Sequence, residues 1–307
     1  MKGDFERYLA AKATVDDRAL DRRVLERARE GLNAESTPRV LEAGAGTGAF
    51  LRRVLGWEAV PDCTYVAVDT DPALLATARD RVVSRARDEG FEASVVDPGP
   101  EETDVDRSLE RTEATTVAAL SLRGPARIDV RLVAGDAVAV AEAGEWDWLV
   151  AQAFVDLLTP DAVGRLVSGV RRGGGVYFPI TFDGGTAFVP EHPADAPVLD
   201  AYHATMADPP DRLGATAGRR LLALLPERGI ELDAVGGSDW VVTPHDGAYP
   251  ADEDYFLEVV VDTVADAVRG RVASETVESW LDARQGERAE RQLRFVARNL
   301  DLYGHRA

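Results

Sequence analysis

The segment that most constrains this chain runs from Arg39 to Leu55. Arg39-Val40-Leu41-Glu42-Ala43 is a short apolar strand that passes directly into Gly44-Ala45-Gly46-Thr47-Gly48 and then into an amphipathic helix over 49–55. A strand, a glycine turn and a helix in immediate succession fit one half of a parallel βαβ unit and little else. The pattern then repeats. Tyr65-Val66-Ala67-Val68 reads as a buried second strand ending in Asp69-Thr70-Asp71, and Pro72 opens a helix that continues to about Arg87. Strand character returns at Ile128 to Val133, ending at Gly135-Asp136, and again at Trp146 to Phe154. A helix from Asp161 to Arg171 leads through Gly173-Gly174-Gly175 into a fifth strand, Val176 to Phe182. Such alternation selects a parallel sheet with helices on both faces.

The remaining segments read as additions. Residues 5–33 are helical and charged, with Leu20, Val24, Leu25 and Ala28 on one face, and they precede the first strand. Residues 96–126 are rich in Asp, Glu, Thr, Pro and Gly and read as an acidic, partly disordered surface insertion. Residues 183–213 read as a long connection carrying Asp183-Gly184-Gly185, Pro190, Tyr202-His203 and Pro209-Pro210. A helix is expected at about 214–228, followed by Ile230 to Val235 and Trp240 to Thr243 as a hairpin around Gly236-Gly237-Ser238. The stretch Asp252 to Leu302 reads as helical with breaks near Gly270 and Gly286. These boundaries divide the chain into an N-terminal helical lid (1–36), a ligand-binding α/β domain (37–245) and a C-terminal helical extension (246–307).

Charge narrows the partners. With 54 Asp and Glu against 35 Lys and Arg, a formal net charge of −19, the surface field repels phosphate backbones and anionic lipid headgroups. Neither nucleic acid nor a membrane is expected as a partner. Lys2 and Lys12 are the only lysines. An acidic excess with arginine as nearly the sole cation fits a salt-adapted, haloarchaeal type of cytoplasm; a GC-rich genome accounts for the missing lysine but not for the acids. Cys63 is the only cysteine, so no intramolecular disulfide and no cysteine-rich metal site can form. No metal ligand set is assigned. Met1 to Ala11 lacks the apolar run of a signal peptide, and no stretch approaches about 18 apolar residues, so a cytoplasmic location is expected.

The chemistry begins at the glycine turn, where the backbone can approach a ligand closely. Gly44, Gly46 and Ala49 alone also satisfy a relaxed dinucleotide fingerprint. Three acids point elsewhere. Glu42 precedes the turn, where an acid opposes a pyrophosphate and attracts a cation; Asp69 ends the second strand, placed to accept from ribose hydroxyls; Asp136 ends the third, placed for an adenine amino group. Any one of them alone reads equally as a helix cap or a solvated carboxylate.

Val40 to Gly48, Val66-Ala67-Val68-Asp69 and Gly135-Asp136-Ala137 together resemble the first, second and third cofactor motifs of class I S-adenosylmethionine-dependent methyltransferases. Tyr8 to Lys12, Val15 to Leu20, Tyr202-His203 and Ser238-Asp239-Trp240 resemble a microbial branch of that family without an assigned substrate. The resemblance implies an α/β, Rossmann-like seven-stranded sheet with N- and C-terminal helical additions, and S-adenosyl-L-methionine as cofactor. By that pattern Glu42, Gly44, Gly46, Thr47 and Gly48 hold the cofactor's amino-acid end, Asp69 with Thr70 the ribose, and Asp136 with Ala137 the adenine. Gln152, Ala153 and Phe154 lie near the transferable methyl. No Asn-Pro-Pro-aromatic sequence follows the fourth strand; Asp156 and Leu157 stand there instead.

A small-molecule acceptor is expected above the ends of the fourth and fifth strands, framed by Phe154, Asp183, Tyr202 and His203, with His203 as base. Arg219, Asp239 and Trp240 are further pocket candidates, and Asp16, Asp17 and Arg18 reach the acceptor if the N-terminal helices form a lid. The C-terminal helices offer a pocket wall or a homodimer surface. Two other readings stand beside methyl transfer: a nicotinamide-dependent dehydrogenase using the same turn, and a cofactor-binding protein without catalysis.

Overall fold

Largely apolar segments become the strands of one sheet in a computed structural model that describes residues 5–96, 104–206 and 211–307. Two helices open the chain, α1 (Phe5–Ala19) and α2 (Arg22–Asn33). They are separate because Asp21 caps α2, its carboxylate accepting from the Val24 N–H at 2.9 Å. Then come β1 (Arg39–Ala43), α3 (Ala49–Leu55), β2 (Cys63–Asp69) and α4 (Pro72–Asp88), followed by β3 (Glu92–Val96), α5 (Asp104–Glu110), β4 (Thr115–Arg123) and β5 (Arg127–Ala134). The second half holds α6 (Ala137–Ala143), β6 (Trp146–Val150), α7 (Pro160–Ser168), β7 (Val170–Val189), α8 (Asp195–Thr205), α9 (Ala217–Glu227), β8 (Ile230–Gly237) and β9 (Trp240–Val242). The chain closes with α10 (Glu253–Val268), α11 (Ser274–Ala289) and β10 (Arg294–Arg306).

The strands lie in the order β3-β4-β5-β2-β1-β6-β7-β10-β8, with β9 also paired to β10. From β5 through β7 the neighbours are parallel, and β10 runs antiparallel between β7 and β8. The expected seven-stranded Rossmann-like sheet is therefore present as β5-β2-β1-β6-β7-β10-β8. The order reverses direction at β1, with β2 on one side and β6 on the other, and a crevice opens at the carboxyl ends there.

Packing builds three layers. Helices α2, α3 and α4 cover one face through Val24, Leu32, Phe50, Leu51 and Val82, all at most 1% exposed. Helices α6, α7 and α9 cover the other through Val138, Val163, Leu166 and Leu221. Beyond the strand ends, α1, α8, α10 and α11 pack on the upper halves of β7 and β10 around Phe188, Phe256, Trp280 and Phe295, forming a helical cap.

Several expected elements take another form. The acidic insertion is not disordered over 104–126. Leu120 and Leu122 are fully buried, and β4 pairs antiparallel with β5 and carries β3 at the sheet edge. The apolar alternation was hidden among Thr and Ser; residues 97–103 of the insertion lie outside the described residues, as does Pro209-Pro210. The expected long connection at 183–213 is largely β7 and α8. Asp183-Gly184-Gly185 is a bulge, not a turn: Phe182 pairs with Asn299 and Thr186 with Ala297, leaving three residues opposite Arg298 alone. The expected hairpin is absent too, since β8 and β9 pair one after the other along β10. Finally, 294–306 is a central strand, not helix, and Gly286 lies inside α11. Asp301, fully buried on β10, accepts from the Ile180 and Asp21 N–H groups at 2.8 and 2.9 Å and so ties strand, strand and helix together.

Candidate active site

The carboxyl ends of β1, β2, β5 and β6 and the underside of the cap enclose a cavity of about 700 Å³. The glycine turn forms its floor. Gly44 has φ +72°, and a Cβ there would sit 2.5 Å from the Phe154 ring, so only glycine fits between turn and ring. Gly44 and Ala45 N–H both donate to the Val68 carbonyl at 2.9 Å, and Gly46 N–H donates to Asp69 Oδ2 at 2.8 Å. Three amides of the turn are thus satisfied inside the protein, where a diphosphate-binding loop would hold them open.

Carboxylates rim this end. Glu42 is 2% exposed; the Tyr65 hydroxyl donates to its Oε2 at 2.7 Å, and burial pushes its carboxyl up to about 7. Asp69 accepts from Asp71 N–H as well as from Gly46, and keeps further lone pairs toward the cavity. Asp136 caps α6, accepting from Val138 N–H at 2.8 Å, and lines the cavity beside Ala137. Among the described lining residues the charged groups are Asp16, Glu42, Asp69, Asp71, Asp136 and Asp156 against Lys12 alone. No three His, Cys, Asp or Glu side chains converge as a metal site among the described residues.

The opposite end is closed by the cap. On α1, Tyr8, Lys12 and Asp16 recur every four residues and so share one face. Buried Asp16 accepts from Lys12 Nζ at 2.6 Å, Trp240 Nε1 at 2.9 Å and Gln152 Nε2 at 3.0 Å. Arg53 Nη1 donates to Gln152 Oε1 at 2.8 Å, so the helix is fastened to the end of β6 across the cavity. Lys12 Nζ lies 4.9 Å from the Trp240 ring centroid. Phe154, Phe182 and Tyr202 complete an aromatic wall, and α10 contributes Val260, Thr263 and Val264.

Of the residues expected at the cofactor, Glu42, Gly44, Gly46, Thr47, Asp69, Thr70, Asp136, Ala137, Gln152 and Phe154 all line this cavity. Gly48 does not: at φ +72° it turns the chain into α3 and rests against Ala78 and Val82 of α4. The acceptor side needs more correction. Tyr202 lines the cavity, but His203 and Asp183 do not. His203 Nε2 is 2.9 Å from Thr186 Oγ1, its ring beside Phe182, and burial holds its pKa below the usual histidine value. Asp183 is engaged by Arg219, whose Nε and backbone N–H both lie 2.8 Å from Oδ1, which anchors the start of α9 to the β7 bulge. Asp239 accepts from Asn299 N–H in the β8–β9 turn. Conversely, Tyr8, Lys12 and Asp156 went unassigned. The four-residue spacing of Tyr8, Lys12 and Asp16, and the rarity of lysine in this chain, are the signals that mark them.

No family model matches the chain, and no curated protein matches it. Solved structures do resemble it in fold. A candidate methyltransferase of Bacillus halodurans is 12% identical over 92% of this chain and 96% of its own, with a TM-score of 0.49. S-Adenosylmethionine-dependent methyltransferases of Geobacter sulfurreducens and Thiobacillus denitrificans, each solved with S-adenosyl-L-homocysteine, are 13% and 14% identical, with TM-scores of 0.44 and 0.43. They cover 94% and 92% of this chain, and 92% of each of their own. Likeness at this level assigns neither activity nor ligand to the chain, so the site itself has to carry both.

Proposed function

We propose that the chain transfers a methyl group from S-adenosylmethionine to a small-molecule acceptor. The observation that carries this reading is the ring of carboxylates Glu42, Asp69 and Asp136 at three strand ends, around a glycine turn whose amides are already bonded. A ligand bearing an ammonium and a sulfonium is attracted to such a rim, whereas a diphosphate is repelled by it and finds no free amides at Gly44, Ala45 or Gly46. The same fact weighs against the nicotinamide reading.

The residues divide the work. Glu42 attracts the ammonium of the amino-acid end, which lies over the glycine turn, Asp69 accepts from the ribose hydroxyls, and Asp136 and Ala137 meet the base. Gln152, pinned by Arg53 and Asp16, and Phe154, pressed on Gly44, set the boundary where the methyl is presented. The bound sulfonium supplies an already activated methyl, so the protein's task is alignment and the exclusion of water. Helix α1 and the aromatic wall provide both, and a cavity of about 700 Å³ suits a small acceptor.

Calorimetry tests the reading. S-Adenosylmethionine and S-adenosylhomocysteine should bind and NAD should not, and Asp69→Ala should weaken both by about 10- to 100-fold, the loss of a charge-assisted hydrogen bond of about 1.5–3 kcal/mol. NAD binding in their place, or an Asp69→Ala titration equal to wild type, would remove the assignment. Methyl transfer to any acceptor separates the enzyme from a cofactor-binding protein without catalysis.

A further inference from the structure

Three polar groups on the acceptor side of the cavity have no side-chain partner among the described residues, the Asp156 carboxylate being met by its own backbone N–H. No side chain among the described residues hydrogen-bonds the Asp156 carboxylate or the Tyr8 and Tyr202 hydroxyls, although all three residues line the cavity. They sit together: the Asp156 charge acts on Tyr202, and Tyr202 and Asp16 act on Tyr8. All three residues are half-buried in the cavity lining, so they offer a polar ligand there one carboxylate and two hydroxyls that no other side chain engages. Its charge follows from the surroundings. Lys12 is offset by Asp16 at 2.6 Å, and Arg212, whose charge also reaches Asp156, lies outside the lining. Asp156 therefore leaves the acceptor end with one unbalanced negative charge. The walls beside it are Phe154, Phe182, Tyr202 and Trp240, rings whose faces favour cations.

We propose that the methyl acceptor is an amine, held as its ammonium by Asp156, Tyr202 and Tyr8, and that Asp156 takes the proton it must lose. This rests on the methyl-transfer reading above. An ammonium has donors only and a carboxylate acceptors only, so the pair is complementary where a carboxylate-bearing acceptor would be repelled. The ammonium gives one proton to Asp156; the amine lone pair forms the bond to the methyl carbon while the carbon–sulfur pair stays on sulfur, and the proton on Asp156 leaves to water. Burial supports the transfer by raising the Asp156 carboxyl above its ordinary range. The phenols cannot substitute for it, because burial drives Tyr8 upward and Tyr202 up to about 12. His203 is off the lining.

The test titrates the S-adenosylhomocysteine complex calorimetrically with n-butylamine, benzylamine and phenethylamine, and with the alcohol and carboxylate isostere of each. At least one amine should bind at least tenfold tighter than its alcohol, and no carboxylate should bind. Asp156→Asn should weaken that amine by 10- to 100-fold and Tyr202→Phe by about threefold or more, while S-adenosylhomocysteine affinity and melting temperature stay at wild-type values. Amines no tighter than their alcohols, no amine bound at millimolar concentration, or Asp156→Asn binding amine like wild type overturns the proposal while the cofactor assignment stands. Loss of S-adenosylhomocysteine binding in the wild-type protein would instead remove the methyl-transfer reading itself.

Discussion

Glu42 joins two demands that pull in opposite directions. Burial raises its carboxyl from 4.5 to about 7, so between those values the folded protein holds a proton that the unfolded chain has released. Its contribution to stability therefore falls as pH rises through that window, by an amount on the order of 3 kcal/mol. Asp301, raised to about 6, acts in the same direction at lower pH. Cofactor binding has the opposite slope, because an ammonium needs the ionised carboxylate: affinity for S-adenosylmethionine should be about tenfold weaker at pH 6 than at pH 8. Glu42→Gln keeps an acceptor for the Tyr65 hydroxyl and removes the charge. Thermal melts should show the ligand-free variant gaining stability at pH 8, and calorimetry should show weak cofactor affinity that no longer changes with pH. A variant that retains the wild-type pH slope would assign that slope to another group. That Glu42, Asp69 and Asp136 line one cavity with the glycine turn was legible because strand ends and glycines fix their positions through local sequence alone. The acceptor end was not. His203 looked poised next to Tyr202, yet on helix α8 adjacent residues diverge by a large angle, and only Tyr202 faces the cavity. Asp156 and Lys12 line one cavity only because α1 folds back over the end of β6, an arrangement that no local pattern records.

Elements that the sequence disguised turn out to hold the cap in place. Strand β7 reads as ending at Phe182, with a long connection after it, because Asp183-Gly184-Gly185 resembles a turn, and β10 reads as helix because it follows the helical α11 with charged residues between its apolar ones. Together they form a long antiparallel pair that runs past the sheet and carries Phe188 and Phe295 into the cap core. Helix α1 closes the cavity against this support and is secured to α10. Arg18 Nη1 and Nη2 donate to Glu253 at 2.5 and 2.8 Å, Thr14 donates to the same carboxylate at 2.7 Å, and Arg7 pairs with Asp252 at 2.8 Å. Glu253 is fully buried, so removing Arg18 strands a charge away from water. Because Arg18 itself is half-exposed, the loss from Arg18→Met should fall below the about 3–5 kcal/mol typical of a fully buried pair. Hydrogen exchange should locate it: amides of α1 lose protection while those of β1 and β2 do not. Equal loss across the central sheet would mean that α1 is part of the global folding unit and not a separately opening cover.

At the scale of the whole molecule the governing fact is the net charge of −19. Many of the acids are locally compensated by arginine, as in Arg165–Glu142 at 2.6 Å, Arg219–Asp183 at 2.8 Å and the Arg288–Asp254–Arg291 cluster, but ion pairs with at least one partner open to water contribute little each. What they leave is the excess of 54 acids over 35 basic residues, and that excess repels itself more strongly in the compact state than in the expanded one. Screening follows the Debye length, which shrinks from about 10 Å at 0.1 M salt to about 3 Å at 1 M, below the usual spacing of surface charges. Added salt should therefore weaken the repulsion far more than it weakens the close pairs, and the melting temperature should rise steadily from dilute buffer into molar salt. Potassium chloride separates screening from the burial-enhancing effect of sulfate and phosphate, because those anions stabilise folded proteins of any charge. A melting temperature that stays flat or falls in potassium chloride would show that the acids are compensated within the fold and would remove the salt-adapted reading. The cofactor site makes a further demand on the same experiment. Attraction of a positively charged ligand to the rim of Glu42, Asp69 and Asp136 weakens as salt screens it, so S-adenosylmethionine affinity should decline over the range in which stability climbs.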